Sequence, residues 1–158
     1  MTRIIQVVGF KNVGKTTLVE HLIKYFSQIG YKVGSVKHDA HDFDIDNPHT
    51  DSWRHREAGA EITAITSPYQ SAILEQRPKA LSQITKQMTG VDIVLVEGFK
   101  QERYPKVVLI RSEDDFHLLQ NLENVVCYMS WISNLPTEKP VFEIQAHEEL
   151  FHFIKKNL

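Results

Sequence analysis

The feature that most limits what this chain can fold into is a glycine-rich segment near its start, residues 9–16. Its sequence, GFKNVGKT, matches G-x-x-x-x-G-K-[ST], the phosphate-binding P-loop. The preceding residues 4–8 are apolar enough for a buried strand, and residues 16–29 have the spacing of an amphipathic helix. Strand, glycine loop and helix form the context that the motif requires. The segment predicts a nucleotide phosphate site; the alternative is a glycine-rich turn before an ordinary helix.

The rest of the chain alternates predicted strands and helices. Further strands are expected at residues 33–37, 62–66, 71–74, 91–96, 107–110, 125–129 and 141–144. Further helices are expected at residues 51–58, 79–88 and 147–156. This alternation predicts one α/β domain over residues 1–158, a three-layer P-loop NTPase fold with a mostly parallel central sheet.

The composition argues against several classes of protein. Charged residues make up 24% of the chain and the formal net charge is −2, so nothing indicates a surface for nucleic acid. No apolar run approaches the ~18 residues needed to cross a bilayer, so no membrane partner is expected. The single cysteine, Cys127, is expected in the core of a strand. One cysteine excludes an internal disulfide framework and fits a reducing cytoplasm.

The P-loop residues have individual expected roles in holding a polyphosphate. The predicted nucleotide-binding residues are Gly9, Lys11, Asn12, Val13, Gly14, Lys15, Thr16 and Thr17. Lys15 should reach the β- and γ-phosphates as a point charge. Thr16 should offer its hydroxyl to Mg²⁺, and Thr17 can hydrogen-bond the α-phosphate. Lys11 either contacts phosphate or is a solvated lysine.

A second acidic group is needed to hold the metal ion, and Glu97 is the best candidate. It follows four apolar residues, 93–96, which is the Walker-B layout with glutamate in place of the usual aspartate. In a doubly wound sheet this end of the strand faces the ligand crevice. The pattern alone also describes an acid that begins a loop, but the upstream P-loop favours Thr16 and Glu97 as metal ligands. Asp92 is expected only to begin the strand.

The segment of residues 37–51 is acidic and rich in histidine. Because it follows the second strand, its start should lie near the phosphates. Asp39, Asp44 and Asp46 are therefore candidates for metal or substrate contacts. Three interpretations are open: a loop for a divalent cation and an acceptor substrate, a structural zinc site, or a solvated loop. Zinc has the least support, because no thiolate or paired ligand set lies nearby.

The helix predicted at residues 51–58 carries further charges. Asp51 is expected to cap its N-terminus. Arg54 and Arg56 either contact an anionic ligand or form a solvated helix face. The β-like stretch at residues 62–74 lies outside the core alternation and could pair across subunits.

Several motifs together resemble the molybdopterin-guanine dinucleotide biosynthesis protein B (MobB) family. They are, in chain order, residues 7–10 with 14–17, 37–39, 43–46, 51–52 with 56–60, and 95–100. The blocks at 37–39 and 96–100 are far more specific than the P-loop alone. In one place the chain departs from the family: relatives commonly have Pro-Gly-Lys-Asp where residues 48–51 read Pro-His-Thr-Asp.

The resemblance implies a GTP-binding protein with weak GTPase activity; the Mg²⁺ ion is expected from the motifs at Thr16 and Glu97. It also implies a cytoplasmic homodimer that assists the attachment of GMP to molybdopterin. The implied partners are the molybdenum cofactor guanylyltransferase and the molybdenum insertion enzyme. GTP over ATP rests on the resemblance alone, because the guanine-reading motif Asn-Lys-x-Asp is missing. Residues 130–134 follow a late strand and could line a base pocket.

Two other functions are compatible with these residues. A small-molecule P-loop kinase could use Arg54 and Arg56 on an acceptor phosphate, and a non-catalytic scaffold could bind nucleotide only to set its affinity for partners. No general base for water is identified. This fits slow hydrolysis, because positioning carries most of the catalysis of phosphoryl transfer.

Overall fold

The computed structural model describes residues 2–39 and 43–157. The helices and strands along the chain are β1 (Arg3–Val8), α1 (Lys15–Gln28), β2 (Val33–Lys37), α2 (Asp51–Glu57), β3 (Ile62–Thr66), β4 (Ser71–Glu75), α3 (Leu81–Gln87), β5 (Ile93–Glu97), β6 (Lys106–Ile110), a 3₁₀ helix (Glu113–His117), α4 (Leu118–Asn121), β7 (Val125–Ser130), β8 (Val141–Glu143) and α5 (His147–Asn157). The chain divides into two compact units, Met1–His38 with Ile84–Leu158, and Asp39–Gln83. A single domain over residues 1–158 stays a prediction.

The first unit is built on one parallel sheet of six strands in the order β2-β5-β1-β6-β7-β8. β1 lies between β5 and β6, with Val7 opposite Glu97 on one side and Val107 on the other. Ligands of such sheets bind at the carboxyl ends of the strands, where the strand order changes direction. The predicted α/β fold with a mostly parallel central sheet is confirmed.

Helix α1 packs on this sheet through the apolar stripe that its spacing predicts. Leu18, Leu22 and Phe26 are buried, as expected for the core face of an amphipathic helix. Ile29, the last residue of the predicted helix, is 39% exposed, because the helix ends at Gln28 and Ile29 is its C-cap. Gly30 then takes a φ of 90°, which turns the chain out of the helix.

The core of the sheet also holds the cysteine. Cys127 is completely buried in β7, as predicted, and burial raises the pKa of its thiol to about 12. A thiol in this environment stays protonated and unreactive at neutral pH. Among residues 2–39 and 43–157, no helix is long and apolar enough to cross a membrane.

The start of β5 is two residues later than predicted. Asp92 precedes the strand, where its carboxylate accepts the backbone N–H of Lys32 at 2.7 Å. Its own N–H donates to the carbonyl of Lys32 at 2.8 Å. These bonds join the chain before β5 to the chain before β2, so Asp92 has a structural role.

The second unit contains α2 and a two-stranded antiparallel sheet of β3 and β4. The cap of α2 is Thr50, whose side chain accepts the N–H of Trp53, and the prediction of Asp51 as the cap was wrong. Thr50 has the extended backbone that an N-cap needs, whereas Asp51 is already helical. β3 and β4 pair with each other along their whole length. Pairing across subunits stays a prediction.

Candidate nucleotide-binding site

The loop between β1 and α1 has a shape that glycine and a buried valine impose. A Cβ atom on Gly9 would lie 2.8 Å from Cγ1 of Val13 and 3.0 Å from the carbonyl oxygen of Leu109. Real Cβ atoms do not approach so closely, so only glycine fits here against β6. Asn12 and Gly14 have left-handed φ values of 61° and 90°. Val13 is 2% exposed, which anchors the loop in the core.

The N-terminus of α1 faces this loop without a side-chain cap. Gly14 is the N-cap and accepts the N–H of Leu18 through its carbonyl, but it has no side chain to receive the N–H groups of the first turn. Such groups, with the positive end of the helix dipole, form a site for anions. Lys11 and Asn12 in the loop, and Thr16 and Thr17 in the first turn, are exposed to solvent.

Lys15 is the first residue of α1, and its side chain folds over the loop. Its ammonium donates to the carbonyl oxygen of Phe10 at 2.5 Å. Burial lowers the pKa of Lys15; Glu97 opposes this effect, while the neighbouring charges of Lys100 and Lys37 add to it. Positive charge is therefore concentrated at the loop, which is an arrangement that attracts a polyanion.

The two predicted metal ligands lie next to each other. The Thr16 hydroxyl donates to Oε1 of Glu97 at 2.8 Å. Glu97 is the last residue of β5 and is only 7% exposed. A hydroxyl and a carboxylate offer the hard oxygen ligands that Mg²⁺ prefers, and Mg²⁺ usually adds substrate phosphates and water to one or two such groups. The pair therefore fits a magnesium ion that is shared with a phosphate ligand.

The described residues contain no larger cluster for a metal ion. Within residues 2–39 and 43–157, no group of three or more His, Cys, Asp or Glu side chains could hold one. A cation at Thr16 and Glu97 would therefore depend on oxygen atoms from its nucleotide, as in other magnesium-nucleotide sites.

The position of Glu97 depends on a residue that the sequence reasoning missed, Gln6. This glutamine is completely buried in β1, and its Nε2 donates to the carbonyls of Gly98 at 3.0 Å and Phe99 at 2.7 Å. Gly98 and Phe99 both have positive φ, 91° and 54°. Gln6 thus holds a strained turn directly after Glu97. The sequence does contain a sign of this role, because Gln6 is a polar residue among the apolar residues 4–8.

The same turn places an aromatic and a cationic side chain near the loop. The rings of Phe99 and His38 lie 4.5 Å apart, and the N–H of His38 donates to the carbonyl of Glu97 at 2.9 Å. The ammonium of Lys100 lies over the ring of Phe10, 4.1 Å from its centroid. The motif of residues 96–100 therefore contributes Glu97 to the Thr16 pair and Lys100 to the P-loop.

Arg111 is a second residue that sequence reasoning missed. It follows β6, and its Nη1 donates to the carbonyl of Asn12 in the P-loop at 3.1 Å. Its guanidinium carbon lies 5.9 Å from the ring centroid of Trp131, which follows β7. The position of Arg111 in the sequence could have indicated this role, since it is the first charged residue after a buried strand. That strand ends at the ligand edge of the sheet, where the carboxyl ends of the parallel strands lie.

The acidic candidates in the second unit have a different environment. Arg56 donates to Oδ1 of Asp44 at 3.0 Å, and its Nε lies 3.5 Å from Oδ2 of Asp46. The side chains of Arg56 and Asp46 are only 14% and 11% exposed. Arg56 therefore does not form a solvated helix face, and contact of Arg54 or Arg56 with an anionic ligand stays a prediction. Asp46 also accepts hydrogen bonds from the hydroxyls of Thr50 and Ser52, each at 3.1 Å.

The remaining candidates of this segment are exposed. Arg54 lies on the surface of α2 with a side chain that is 71% exposed and 3.8 Å from Asp51. Asp39 is also exposed, and residues 40–42 lie outside the described part of the chain. Metal or substrate contacts by Asp39, Asp44 and Asp46 stay a prediction.

Comparison with known proteins shows relatives in one family. The family model described as "Molybdopterin guanine dinucleotide synthesis protein B" matches residues 4–131. The chain is 39% identical over 111 residues to a molybdopterin-guanine dinucleotide biosynthesis adapter protein of Haemophilus influenzae, covering 68% of this chain and 62% of that protein. It is 36% identical over 124 residues to a probable adapter protein of the same biosynthesis in Bacillus subtilis, covering 74% and 70%. The first match thus spans less than two thirds of the relative's own length.

Solved structures give the same result over nearly the whole chain. The crystal structure of a MobB protein homolog from Bacillus stearothermophilus superposes with a TM-score of 0.79 at 34% identity, covering 97% of this chain and 95% of that one. The resemblance that the motifs at residues 4–100 indicate is confirmed. The chain belongs to the MobB family, the molybdopterin guanine dinucleotide synthesis protein B family.

Proposed function

We propose that this protein is a GTP-binding adapter with weak GTPase activity that assists molybdopterin guanine dinucleotide biosynthesis. The observation that carries the proposal is the contact between the P-loop hydroxyl of Thr16 and the carboxylate of Glu97, 2.8 Å apart. The biosynthetic role rests on family membership, since the relatives from Haemophilus influenzae and Bacillus subtilis are named as adapter proteins of this biosynthesis.

Each part of the site has a task in binding Mg-GTP. The backbone N–H groups of the loop and the N-terminus of α1 receive phosphate oxygens. The ammonium of Lys15, which lies on the Phe10 carbonyl, moves to the phosphates and neutralises their charge. Thr16 and Glu97 would hold Mg²⁺, which when bound neutralises and orients the β- and γ-phosphates.

The same geometry favours slow hydrolysis. Glu97 accepts a hydrogen bond from Thr16 and is needed for the cation, so it is not available as a base for water. The positive groups around the loop stabilise the bound polyphosphate in its ground state as well as during reaction, and uniform binding of this kind does not accelerate chemistry. Slow turnover suits an adapter that acts while its nucleotide is bound.

The wider context of the function is also a proposal. The partners would be the molybdenum cofactor guanylyltransferase and the molybdenum insertion enzyme, and the protein would act in the cytoplasm as a homodimer. One face of the β3–β4 sheet carries the exposed apolar side chains of Ile62 and Ile73, which suit a subunit surface. The net charge of −2 gives no reason to expect nucleic acid.

A kinase has less support than the adapter. Of its two candidate arginines, Arg56 is held by Asp44 and Asp46, which leaves only the exposed Arg54 to bind an acceptor phosphate. Incubation with GTP labelled at the γ-phosphate, together with candidate acceptors, separates the possibilities. We expect only slow release of free phosphate. Label in the acceptor would favour the kinase, and no turnover at all would favour the non-catalytic scaffold.

Calorimetric titration with Mg-GTP tests the nucleotide site directly. Lys15→Ala should weaken binding by about a hundredfold or more, because an ammonium that contacts the phosphates is lost. Lys24→Ala is the matched control, because Lys24 lies on the same helix and is exposed, where it pairs with the exposed Glu20. Equal affinity of the two variants for Mg-GTP would refute the site. Parallel titration with Mg-ATP measures the base preference.

A further inference from the structure

The turn after β7 exposes a large aromatic side chain at the ligand edge of the sheet. Trp131 is 54% exposed, although most of its neighbours in β7 are buried. An indole that is exposed to water is available for a ligand with an aromatic face. The inference below rests on the proposed nucleotide site.

The turn that carries Trp131 is fixed in place. The N–H of Trp131 donates to the carbonyl of Ile110 at 3.0 Å, which ties the turn to the end of β6. The Ser130 hydroxyl accepts the N–H of Ile132 at 2.9 Å and lies 2.8 Å from its carbonyl oxygen. A turn whose backbone is already ordered loses little conformational entropy when a ligand binds.

The same turn is linked to the P-loop by packing. Ile132 follows Trp131 directly, and Phe10 lies in the P-loop. Both side chains pack against one apolar cluster. The members of that cluster are Val8, Val108, Ile110, Leu118, Val125 and Tyr128. The aromatic turn and the phosphate loop thus rest on a common support.

Arg111 makes a second link between them. Its guanidinium lies over the Trp131 ring and donates to the carbonyl of Asn12. Its backbone N–H is held at 2.7 Å by the carboxylate of Asp115, which is 7% exposed. One ordered arginine side chain therefore spans the space between the phosphate loop and the indole.

We propose that the purine base of the bound nucleotide stacks on Trp131, on the face of the indole opposite the Arg111 guanidinium. With the triphosphate on the P-loop, the base would lie beyond Arg111 on the β6–β7 side of the sheet. Stacking on an aromatic side chain is tolerant of base identity, because every base has a π-face. Trp131 would thus bind the base in a chain that has no Asn-Lys-x-Asp motif, and would not by itself discriminate guanine from adenine.

Fluorescence and affinity measurements with three ligands test this inference. The chain has two tryptophans, so Trp53→Phe leaves Trp131 as the only indole reporter. GTP and ATP should quench its emission, whereas inorganic tripolyphosphate should not. In calorimetry, Trp131→Ala should weaken GTP and ATP by about ten- to a hundredfold and tripolyphosphate by less than about twofold. Trp131→Phe, which keeps an aromatic face, should recover most of the loss.

The controls separate this inference from the nucleotide site itself. Tyr69→Ala removes another exposed aromatic side chain, 96% exposed in the β3–β4 turn, and should leave all three affinities unchanged. Wild-type affinity of Trp131→Ala for GTP would overturn the base-stacking role and favour a partner protein as the ligand of this indole, while Lys15→Ala would still lose both GTP and tripolyphosphate. If the wild type binds neither GTP nor tripolyphosphate, the proposed function fails and this inference fails with it.

Discussion

Two groups of acidic residues were candidates for metal binding, and their surroundings differ. Glu97 ends a buried strand and accepts a hydrogen bond from a neutral hydroxyl, that of Thr16. Asp44 and Asp46 face the guanidinium of Arg56, and Asp46 also accepts bonds from two hydroxyls. A carboxylate that is paired with a guanidinium is already neutralised, whereas one beside a hydroxyl keeps its charge for a cation. The difference shows that the partner of an acid decides its chemistry, more than its spacing in the sequence.

The largest effect is expected from Gly9→Ala, which tests how closely the backbone of the P-loop packs against β6. Gly9→Ala places a Cβ atom 3.0 Å from the Leu109 carbonyl, so the loop must shift away from β6. We expect a loss of roughly 3 kcal/mol in the free energy of unfolding, together with loss of Mg-GTP binding. Urea denaturation and calorimetry measure the two effects.

Gly30→Ala is the matched control for Gly9. Gly30 has a φ of 90°, but an added Cβ would meet nothing within 4 Å. Only the left-handed backbone is penalised, by about 1–2 kcal/mol, and nucleotide affinity should be normal. If both variants were equally stable and bound GTP equally well, the fit of Gly9 against β6 would have no importance.

The second-largest effect is expected from Arg56→Met, which tests whether Asp44 and Asp46 stabilise the fold of the second unit. Arg56→Met leaves Asp46, whose side chain is 11% exposed, without its positive partner. We expect a loss of about 2 kcal/mol because an uncompensated, mostly buried carboxylate is costly. Hydrogen exchange at α2 and β3 should accelerate. Arg54→Met, at a side chain that is 71% exposed, should change neither measurement, and equal effects of the two variants would contradict the assignment.

A moderate effect on GTP affinity is expected when Glu97 and Asp44, one from each acidic group, are replaced by their amides. Glu97→Gln should weaken Mg-dependent GTP binding by about ten- to a hundredfold, because it removes the charge that faces the cation. Asp44→Asn should change this affinity by less than about twofold, because Asp44 is paired with Arg56. Titrations with and without Mg²⁺ measure both. The reverse ranking would place the metal ion in the acidic segment instead.

The smallest expected effect is on the pH dependence of stability and comes from two neighbouring histidines, which repel each other when both are charged. The rings of His147 and His21 lie 4.7 Å apart. Burial lowers the pKa of His147, the neighbouring His21 lowers it further, and Glu148 opposes both. As the pH falls through the unfolded value of about 6.5, the unfolded chain takes up this proton first, so stability should decrease between pH 7 and pH 5.

Thermal denaturation at several pH values checks this sign. His147→Asn should flatten the acid side of the stability profile, whereas His152→Asn, an exposed histidine on the same helix, should leave it unchanged. A steeper acid loss in His147→Asn than in the wild type would show that the sign is wrong.

The sequence predicted those parts of the site that depend on neighbours in the chain. The P-loop, the helix after it and the acid at the end of an apolar run all have local patterns, and the structure has them where they were expected. The parallel sheet followed from the alternation of elements, because strands that are joined by helices pair in parallel. Exact bounds were less certain, as at Asp51 and Asp92, where hydrogen bonds of a neighbouring residue decide them.

Contacts between distant residues could not be predicted. Arg111 reaches Asn12 across 99 positions, and Gln6 reaches Phe99 across 93. Arg56 pairs with Asp44 and Asp46, which lie in a segment that forms neither helix nor strand. Which residues form these pairs depends on the tertiary fold, so the pairs could be identified only from the structure.

The sheet order also has a consequence for the synthesis of the protein. β1 pairs with β5 and β6, and Arg3 lies opposite Ile93. At about 5–20 residues per second, the ribosome needs roughly 5–20 s to make the intervening chain. During this time the apolar first strand has no partner, and the halves of the site, Thr16 and Glu97, have not met. The proposed nucleotide site is therefore a late product of translation, and a chain that stops short of β5 would carry the P-loop sequence without a sheet to hold it.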